Sequence, residues 1–181
     1  MKKVLLITTD FPPNSGGVAR YLSNLAVHLP SDKIVVLAPP DDRADDSQFN
    51  FKIYRTKLFW PLWPKWLPMI RQVGKIALRE KAEILWAAQP LPVGTVVLMI
   101  SKFLRFPYIL NTHGMDLAKA LSLGGRKTAI LRKVLKGAKA VTYNSNYTKN
   151  LLDKFDIADD KLIQVLPCPK DVSGKIQEKT S

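Results

Sequence analysis

The sequence predicts an α/β fold with a doubly wound, mainly parallel β-sheet, and two observations lead to this prediction. Short apolar runs alternate along the 181-residue chain with longer segments whose apolar residues recur every three or four positions. This alternation is typical of βαβ units, in which parallel strands form a sheet and the connecting helices cover it. Hydrophobic residues make up 46% of the chain and charged residues 24%, which excludes a disordered chain, a collagen or a coiled coil.

The strands are predicted from short apolar runs that end at turn residues. In chain order they cover residues 3–9, 33–38, 51–56, 84–88, 107–112, 138–143 and 162–166. The helices are predicted from apolar residues at helical spacing, over residues 18–29, 67–81, 93–106, 124–136 and 146–155. Pro30 ends the first helix, and the pair Asn144-Ser145 is a good N-cap for the last.

Cysteine, histidine and charge narrow the function classes further. With one cysteine, Cys168, and two histidines, His28 and His113, a disulfide framework or a His/Cys metal site is not expected, which fits a reducing cytoplasm. The formal net charge is +13, and the whole basic excess lies between residues 51 and 139. Such a concentration favours a surface that meets phosphates, although a merely solubilising surface also fits. A nucleic-acid partner would rest on charge alone and is not expected.

Apolar runs long enough for a signal peptide or a membrane span are not found in the sequence. The first run is interrupted at Asp10, and the run from Val93 to Ile100 is far shorter than the ~20 residues of a transmembrane helix. We therefore expect a cytoplasmic protein.

Two loops lie where a doubly wound sheet binds its ligands, beyond the carboxyl ends of the strands. The first loop, residues 10–17, ends in Gly16 and Gly17 at the start of a helix, where a ligand can approach the backbone closely and anions meet free N–H groups. It matches neither the dinucleotide fingerprint nor the P-loop pattern. The second loop, residues 112–116, presents His113 directly after a strand. Turn formation for the glycines and local packing for the histidine remain alternatives.

Three motifs occur in order along the chain: D-F-P-P-x-x-G-G-V-x-x-Y-L-x-x-L from residue 10, T-H-G-x-D from residue 112 and A-V-T-Y-N-S-x-Y-T-K-x-L-L from residue 140. Together they resemble the N-terminal half of retaining glycosyltransferases of the GT-B fold, family 4. The resemblance covers about residues 3–169. Within that family the motifs are most similar to those of bacterial phosphatidylinositol-mannoside mannosyltransferases. The resemblance to family 4 implies a Rossmann-like sheet that forms one half of a GT-B fold.

The resemblance also implies roles for individual residues. His113 matches the catalytic histidine near the transferred sugar, which orients it and stabilises charge. Gly16 and Gly17 match the glycines that lie against the donor diphosphate and the acceptor. Asp10 is implied to meet an acceptor hydroxyl, and Asp116 is a further substrate-binding candidate. The strand-to-helix junction at residues 144–145 is implied to be structural.

The resemblance implies half of an enzyme, with residues 1–169 as the acceptor-side domain and residues 170–181 as a polar tail or truncated linker. The family binds its nucleotide sugar mainly through a C-terminal domain with an E-x7-E motif, which this sequence lacks. We expect that domain as a partner in cis or in trans, and no transfer by this chain alone. The implied reaction moves a hexose from a nucleotide sugar such as GDP-mannose to a lipid-linked or polyol acceptor, with retention and without a metal or other cofactor. The alternative is a non-catalytic anion- or membrane-binding module.

Aromatic and basic residues coincide between residues 51 and 81. The residues predicted to form a membrane or acceptor surface there are Lys57, Trp60, Trp63, Lys65, Trp66 and Arg71. Tryptophan favours the headgroup region of a bilayer, and lysine and arginine are attracted to anionic lipids. The segment therefore predicts peripheral attachment to the inner face of a membrane. Packing of the tryptophans in the core is an equal alternative.

Overall fold

A single parallel sheet organises the fold. The computed structural model describes residues 1–61 and 65–165, and within them seven strands pair in the order β3-β2-β1-β4-β5-β6-β7, all parallel. The strands are β1 (Val4–Ile7), β2 (Ile34–Ala38), β3 (Lys52–Arg55), β4 (Ile84–Ala87), β5 (Tyr108–Asn111), β6 (Ala140–Tyr143) and β7 (Leu162–Gln164). The predicted α/β, doubly wound fold class is therefore confirmed. The predicted strands are longer at their ends, where the backbone leaves the ladder of hydrogen bonds.

Six α-helices lie among the described residues. They are α1 (Gly17–Val27), α2 (Leu67–Arg79), α3 (Val93–Leu104), α4 (Gly114–Leu123), α5 (Gly125–Gly137) and α6 (Asn146–Leu152). The last predicted helix is divided, because α6 ends at Leu152 and a short 3-10 turn continues to Phe155.

Helix α4 is absent from the sequence prediction, which treated residues 112–116 as a loop. It begins at Gly114, a residue with low helix propensity that normally indicates a turn. The signal that could have revealed it is the spacing of Leu117, Ala120 and Leu121. After α4 the chain reverses at Gly124 and Gly125, whose φ angles of 59° and 60° are readily adopted by glycine. The second predicted loop is therefore the start of a helix.

The sheet is buried on both faces, as its continuous apolar strands require. Leu5 and Ile7 of β1 face a core layer that also contains side chains of helices α2 to α6. Val4 and Leu6 face the second layer, which contains α1 and the aromatic residues before β3.

The strand order reverses at β1, at the position where a ligand site is predicted. The chain runs from β1 to β2 and β3 on one side and then returns to β4 on the other side of β1. The connections after β1 and β4 therefore leave the sheet in opposite directions and open a crevice at the carboxyl ends of the strands. Ligands of doubly wound folds bind at this position.

A buried carboxylate joins the opposite, amino-terminal end of the sheet. Glu80, directly after α2, is 7% exposed. It accepts hydrogen bonds from Tyr54 Oη at 2.5 Å, Lys52 Nζ at 3.1 Å and Lys3 Nζ at 3.2 Å. These hydrogen bonds lower the pKa of Glu80 to about 2, and the bond from Tyr54 has the largest effect. One side chain thus links β1, β3 and α2.

We expect Glu80→Gln to lower the free energy of unfolding by about 1–3 kcal/mol at neutral pH, because buried charge-assisted hydrogen bonds are lost. Since folding lowers the pKa of Glu80, its contribution is complete above the unfolded value near 4.5 and disappears as the pH falls towards 2. The melting temperatures of wild type and variant should therefore converge on acidification. Asp42→Asn, at an exposed carboxylate, is the control and should change little. A difference for Glu80→Gln that is constant with pH would contradict this role.

Candidate functional site

A cleft of about 540 Å³, lined by both polar and apolar residues, lies at the carboxyl ends of the central strands. It brings together four of the predicted site residues, namely Asp10, Gly17, His113 and Asp116. The fifth, Gly16, stands beside the cleft as the N-cap of α1. Sequence reasoning did not nominate the lining residues Tyr21, Gln89 and Met115.

Asp10 is held in the first loop by local hydrogen bonds. The Thr8 hydroxyl donates to the Asp10 carbonyl oxygen at 2.8 Å and accepts from the Asp10 amide at 3.0 Å. The Asn14 side-chain amide donates to Asp10 Oδ1 at 3.1 Å. A Cβ on Gly16 would lie 3.3 Å from Asp10 Oδ2, so glycine gives this carboxylate its room. The loop thus fixes the backbone of Asp10 while its carboxylate lines the cleft.

Gln89 connects the loops that follow β1 and β4. Its Oε1 accepts from the Thr9 amide at 3.3 Å, and its Nε2 donates to the Thr8 hydroxyl at 3.2 Å. A single side chain therefore ties both walls of the crevice together. The only sequence signal was a polar residue placed between a buried strand and Pro90.

Arg55, at the end of β3, braces the first loop from the side. Its Nη2 donates to the Pro12 carbonyl oxygen at 2.6 Å and pairs with Asp46 Oδ1 at 2.7 Å. The guanidinium carbon also lies 5.8 Å from the ring centre of Phe11. The conformation of residues 10–17 is thus supported by a residue far away in sequence.

Gly17 is the first residue of α1 and borders open space. A Cβ placed on it would meet nothing within 4 Å, so packing inside the protein does not demand a glycine here. No side chain caps the start of α1, and its first turn holds no acidic residue. The N-terminus of a helix attracts anions, and the missing side chain at Gly17 lets a ligand approach the backbone.

His113 is the N-cap of α4 and faces the cleft from the opposite wall. Its ring packs edge-on against Tyr21, with 6.0 Å between ring centres, and its Nε2 lies 3.2 Å from the side-chain nitrogen of Asn111. Burial lowers the pKa of His113, and the charge of Asp116 partly opposes this effect. At neutral pH the imidazole is therefore uncharged and can donate or accept a hydrogen bond.

The junction after β6 supports the same wall. Ser145 caps α6 by accepting from the Thr148 amide at 3.2 Å, and the Thr148 hydroxyl donates to Asn144 Oδ1 at 3.3 Å. A Cβ on Gly114 would lie 2.8 Å from the ring of Tyr147, so α4 can approach α6 only with glycine there. Asn144 also lines the cleft.

A second groove, of about 410 Å³, shares the lining residue Asp116 with the cleft. Leu91, Leu123 and Leu131 are among its lining residues, together with the basic residues Lys119 and Lys127. The cleft therefore borders a groove in which leucines provide apolar surface and lysines provide positive charge.

The proposed membrane segment divides into exposed and packed residues. Lys57, Lys65 and Arg71 are exposed, and so is Trp60, at 48% of its full surface. Trp66 is partly buried and packs against the core. Trp63 lies outside the described residues. In the ranges 1–61 and 65–165 no helix has the length and apolarity needed to cross a membrane.

The sequence model of glycosyltransferase family 4 matches residues 15–173. A GDP-mannose-dependent monoacylated alpha-(1-6)-phosphatidylinositol monomannoside mannosyltransferase of Corynebacterium glutamicum is 25% identical over 156 residues, 81% of this chain and 39% of the relative. A GDP-mannose-dependent alpha-(1-6)-phosphatidylinositol monomannoside mannosyltransferase of Mycolicibacterium smegmatis is 26% identical over 155 residues, again 81% of this chain and 39% of the relative. The chain thus spans about two fifths of the length of these relatives.

Solved structures show the same fold. HepE of Anabaena, crystallised with UDP and glucose, superposes with a TM-score of 0.72 at 15% identity, over 94% of this chain and 45% of its own. Sucrose-phosphate synthase of Thermosynechococcus elongatus gives a TM-score of 0.72 at 14% identity, over 94% of this chain and 49% of its own. The Rossmann-like sheet is that of the N-terminal half of a GT-B fold, and the chain belongs to glycosyltransferase family 4.

Proposed function

We propose that this chain is the acceptor-binding domain of a retaining glycosyltransferase that transfers a hexose from a nucleotide sugar to a lipid-linked or polyol acceptor. Family membership supports glycosyl transfer. The observation that favours a lipid-linked acceptor is the junction of cleft and groove at Asp116. A polar headgroup would meet the side chains of Asp10 and His113 in the cleft, and an acyl chain would meet the leucines of the groove, whose lysines favour an anionic lipid.

The printed activities of the relatives support a finer assignment. Both mannosyltransferases use GDP-mannose and a phosphatidylinositol mannoside. We accordingly propose GDP-mannose as the donor and a phosphoinositol lipid as the acceptor. No further cofactor is part of the proposal.

The cleft supports a division of roles among its residues. The start of α1 at Gly17, with its uncapped amides, suits a phosphate oxygen of the donor or the acceptor. Asp10 is available to accept a hydrogen bond from the acceptor hydroxyl. His113 is our candidate for a catalytic group that orients the transferred sugar and stabilises developing charge, as preorganised donors do. Attack would take place on the face of the departing diphosphate, without a covalent enzyme intermediate.

We propose residues 1–169 as the acceptor-side domain and residues 170–181 as a polar tail or truncated linker. Residues 166–181 lie outside the described ranges. The donor half would come from a second Rossmann-like domain in cis or in trans, because the chain spans only about two fifths of its relatives.

The 181-residue chain alone should transfer no sugar, since groups from both domains are needed around the donor. Incubation with GDP-mannose and phosphatidylinositol should give only background hydrolysis. Joining the chain to the C-terminal domain of a family 4 mannosyltransferase should yield a mannolipid with a retained anomeric configuration. Transfer by the chain alone would contradict the two-domain proposal. A joined protein that binds vesicles but transfers no sugar would favour a non-catalytic membrane-binding module.

Gly17→Ala should weaken headgroup binding while the fold is preserved, because the new methyl group enters the cleft and touches no protein atom. Titration of the chain with inositol 1-phosphate, followed by NMR, should show about tenfold weaker binding, the equivalent of about 1.4 kcal/mol. Gly74→Ala is the matched control, since Gly74 lies in α2, away from the cleft, and its Cβ would lie 3.9 Å from Leu104 of α3. Equal affinities of both variants would remove Gly17 from the site.

We further propose that the exposed residues Lys57, Trp60, Lys65 and Arg71 attach the domain to the inner, anionic face of the cytoplasmic membrane. The exposure of Trp60 and of three cations in one segment supports this assignment. Trp66 packs against the core and contributes to the surface only by supporting it.

The double variant Lys57→Glu/Lys65→Glu should bind vesicles of phosphatidylcholine and phosphatidylglycerol at least about thirtyfold more weakly, because each of the two basic residues contributes about 1 kcal/mol near an anionic surface and the new carboxylates are repelled by it. Sedimentation at low salt measures this binding, which should decline as salt rises. Lys154→Glu, an exposed control elsewhere, should have a smaller effect. Similar losses in both proteins, or equal binding to pure phosphatidylcholine, would contradict a local docking surface.

A further inference from the structure

A buried polar chain lies directly behind His113. Asn111, at the end of β5, is 2% exposed, and Thr142 of β6 is 7% exposed. The two residues are register partners in the parallel pair, so their side chains stand side by side on one face of the sheet. The Thr142 hydroxyl donates to Asn111 Oδ1, and the Asn111 side-chain nitrogen lies 3.2 Å from His113 Nε2.

The direction of these bonds determines where the imidazole proton sits. The structure places Oδ1 of Asn111 towards the Thr142 hydroxyl, which donates to it, and the NH₂ group of the same amide towards His113. An NH₂ group only donates, so Nε2 of His113 must accept. A neutral imidazole carries one ring proton, which is then on Nδ1.

The strand pair keeps this arrangement in place. The carbonyl oxygen of Thr142 accepts from the Thr112 hydroxyl at 2.7 Å and from the Thr112 amide at 2.9 Å. Thr112 is 1% exposed and, like Asn111, sits where β5 ends. The relay is thus anchored to the buried, hydrogen-bonded end of the β5–β6 pair.

We propose that Asn111 is a positioning residue that holds His113 in the Nδ1–H tautomer, so that the cleft offers a neutral N–H donor to an oxygen of the substrate. This inference rests on the proposed function and specifies the chemistry of its ligand. The group opposite His113 must accept a hydrogen bond, as a sugar hydroxyl oxygen or a phosphoryl oxygen does. With Nε2 already occupied by Asn111, His113 stabilises charge by donation and does not deprotonate the acceptor hydroxyl.

The surroundings of the ring agree with this role. Burial disfavours the imidazolium form, whereas the charge of Asp116 on α4 favours the imidazolium form. Tyr21 on α1 packs edge-on against the ring. Asp10 from the β1 loop lines the same cleft. The hydrogen bond from Asn111 also stabilises the neutral form. The imidazolium form would carry a proton on Nε2, and the NH₂ group of Asn111 cannot accept a hydrogen bond from it.

The test is NMR of the 181-residue chain with ¹⁵N-labelled histidine, because long-range proton–nitrogen correlations distinguish a protonated ring nitrogen from a bare one. The sequence contains only two histidines, and His28→Gln assigns the signals. We expect a protonated Nδ1 and a bare Nε2 for His113. A protonated Nε2, or an equal mixture of tautomers, would overturn the proposal, and this result needs no substitution at Asn111.

Two variants separate positioning from packing. Asn111→Asp replaces the donor by a carboxylate, so the ring proton should move to Nε2 and the pKa of His113 should rise by about 1–3 pH units. Thr112→Val removes a buried hydrogen bond from the same strand end without touching the ring, and should leave the tautomer and the pKa unchanged. Equal responses of the two variants would reduce Asn111 to a structural residue. If Asn111→Asp does not fold, Thr142→Val, which removes the donor to Oδ1, should still shift the tautomer populations.

The outcome is independent of the proposed function, because the NMR experiment contains no substrate. If the tautomer is as expected but His113→Ala leaves turnover of the two-domain enzyme unchanged, the proposed catalytic role fails and the positioning relay stands. If His113→Ala lowers turnover and the ring proton is on Nε2, the relay fails and the catalytic role stands.

Discussion

The parallel pairing of β1 with both β2 and β4 is the constraint on which the remaining structure depends. Because β1 is central and the chain departs from it in opposite directions, the connections after β1 and β4 meet at one crevice. The bonds of Gln89 to Thr8 and Thr9 are possible only at this meeting point. Each wall of the cleft is then completed by the start of a helix, α1 on one side and α4 on the other.

Stability and ligand chemistry are located at opposite ends of the sheet. At the amino-terminal end, Glu80 collects hydrogen bonds from Lys3, Lys52 and Tyr54 and so joins three elements. At the carboxyl-terminal end, the polar groups of Asp10 and His113 line an open cleft. The carboxylate of Glu80 is buried and already hydrogen-bonded, so it is not available to a ligand. The half-buried groups beside the open cleft are available.

Much of this arrangement could be predicted from the sequence, because strands and helices follow from local periodicity. Periodicity is sufficient to place the strands. The rule that ligands lie at the carboxyl ends of strands is then sufficient to bring Asp10, Gly17 and His113 together. Helix α4 was missed since Gly114 concealed its start. Gln89 and Asn111 were missed for different reasons. The role of Gln89 depends on hydrogen bonds to a loop that is distant in the sequence. The role of Asn111 depends on the orientation of its side-chain amide. The contrast between exposed Trp60 and packed Trp66 is also tertiary, and the composition of the segment could not reveal it.

The two glycines that open the cleft, Gly17 and Gly114, carry different kinds of constraint during sequence divergence. A side chain at Gly114 would collide with Tyr147, so this position can change only together with a change in its packing partner. A side chain at Gly17 would meet only the space of the cleft. Packing therefore does not limit substitution at Gly17, and in its proposed role a descendant that acquires a smaller substrate is free to lose that glycine while it keeps the fold. Among diverging copies of this domain, residue 17 would record changes in substrate, and residue 114 would record changes in packing.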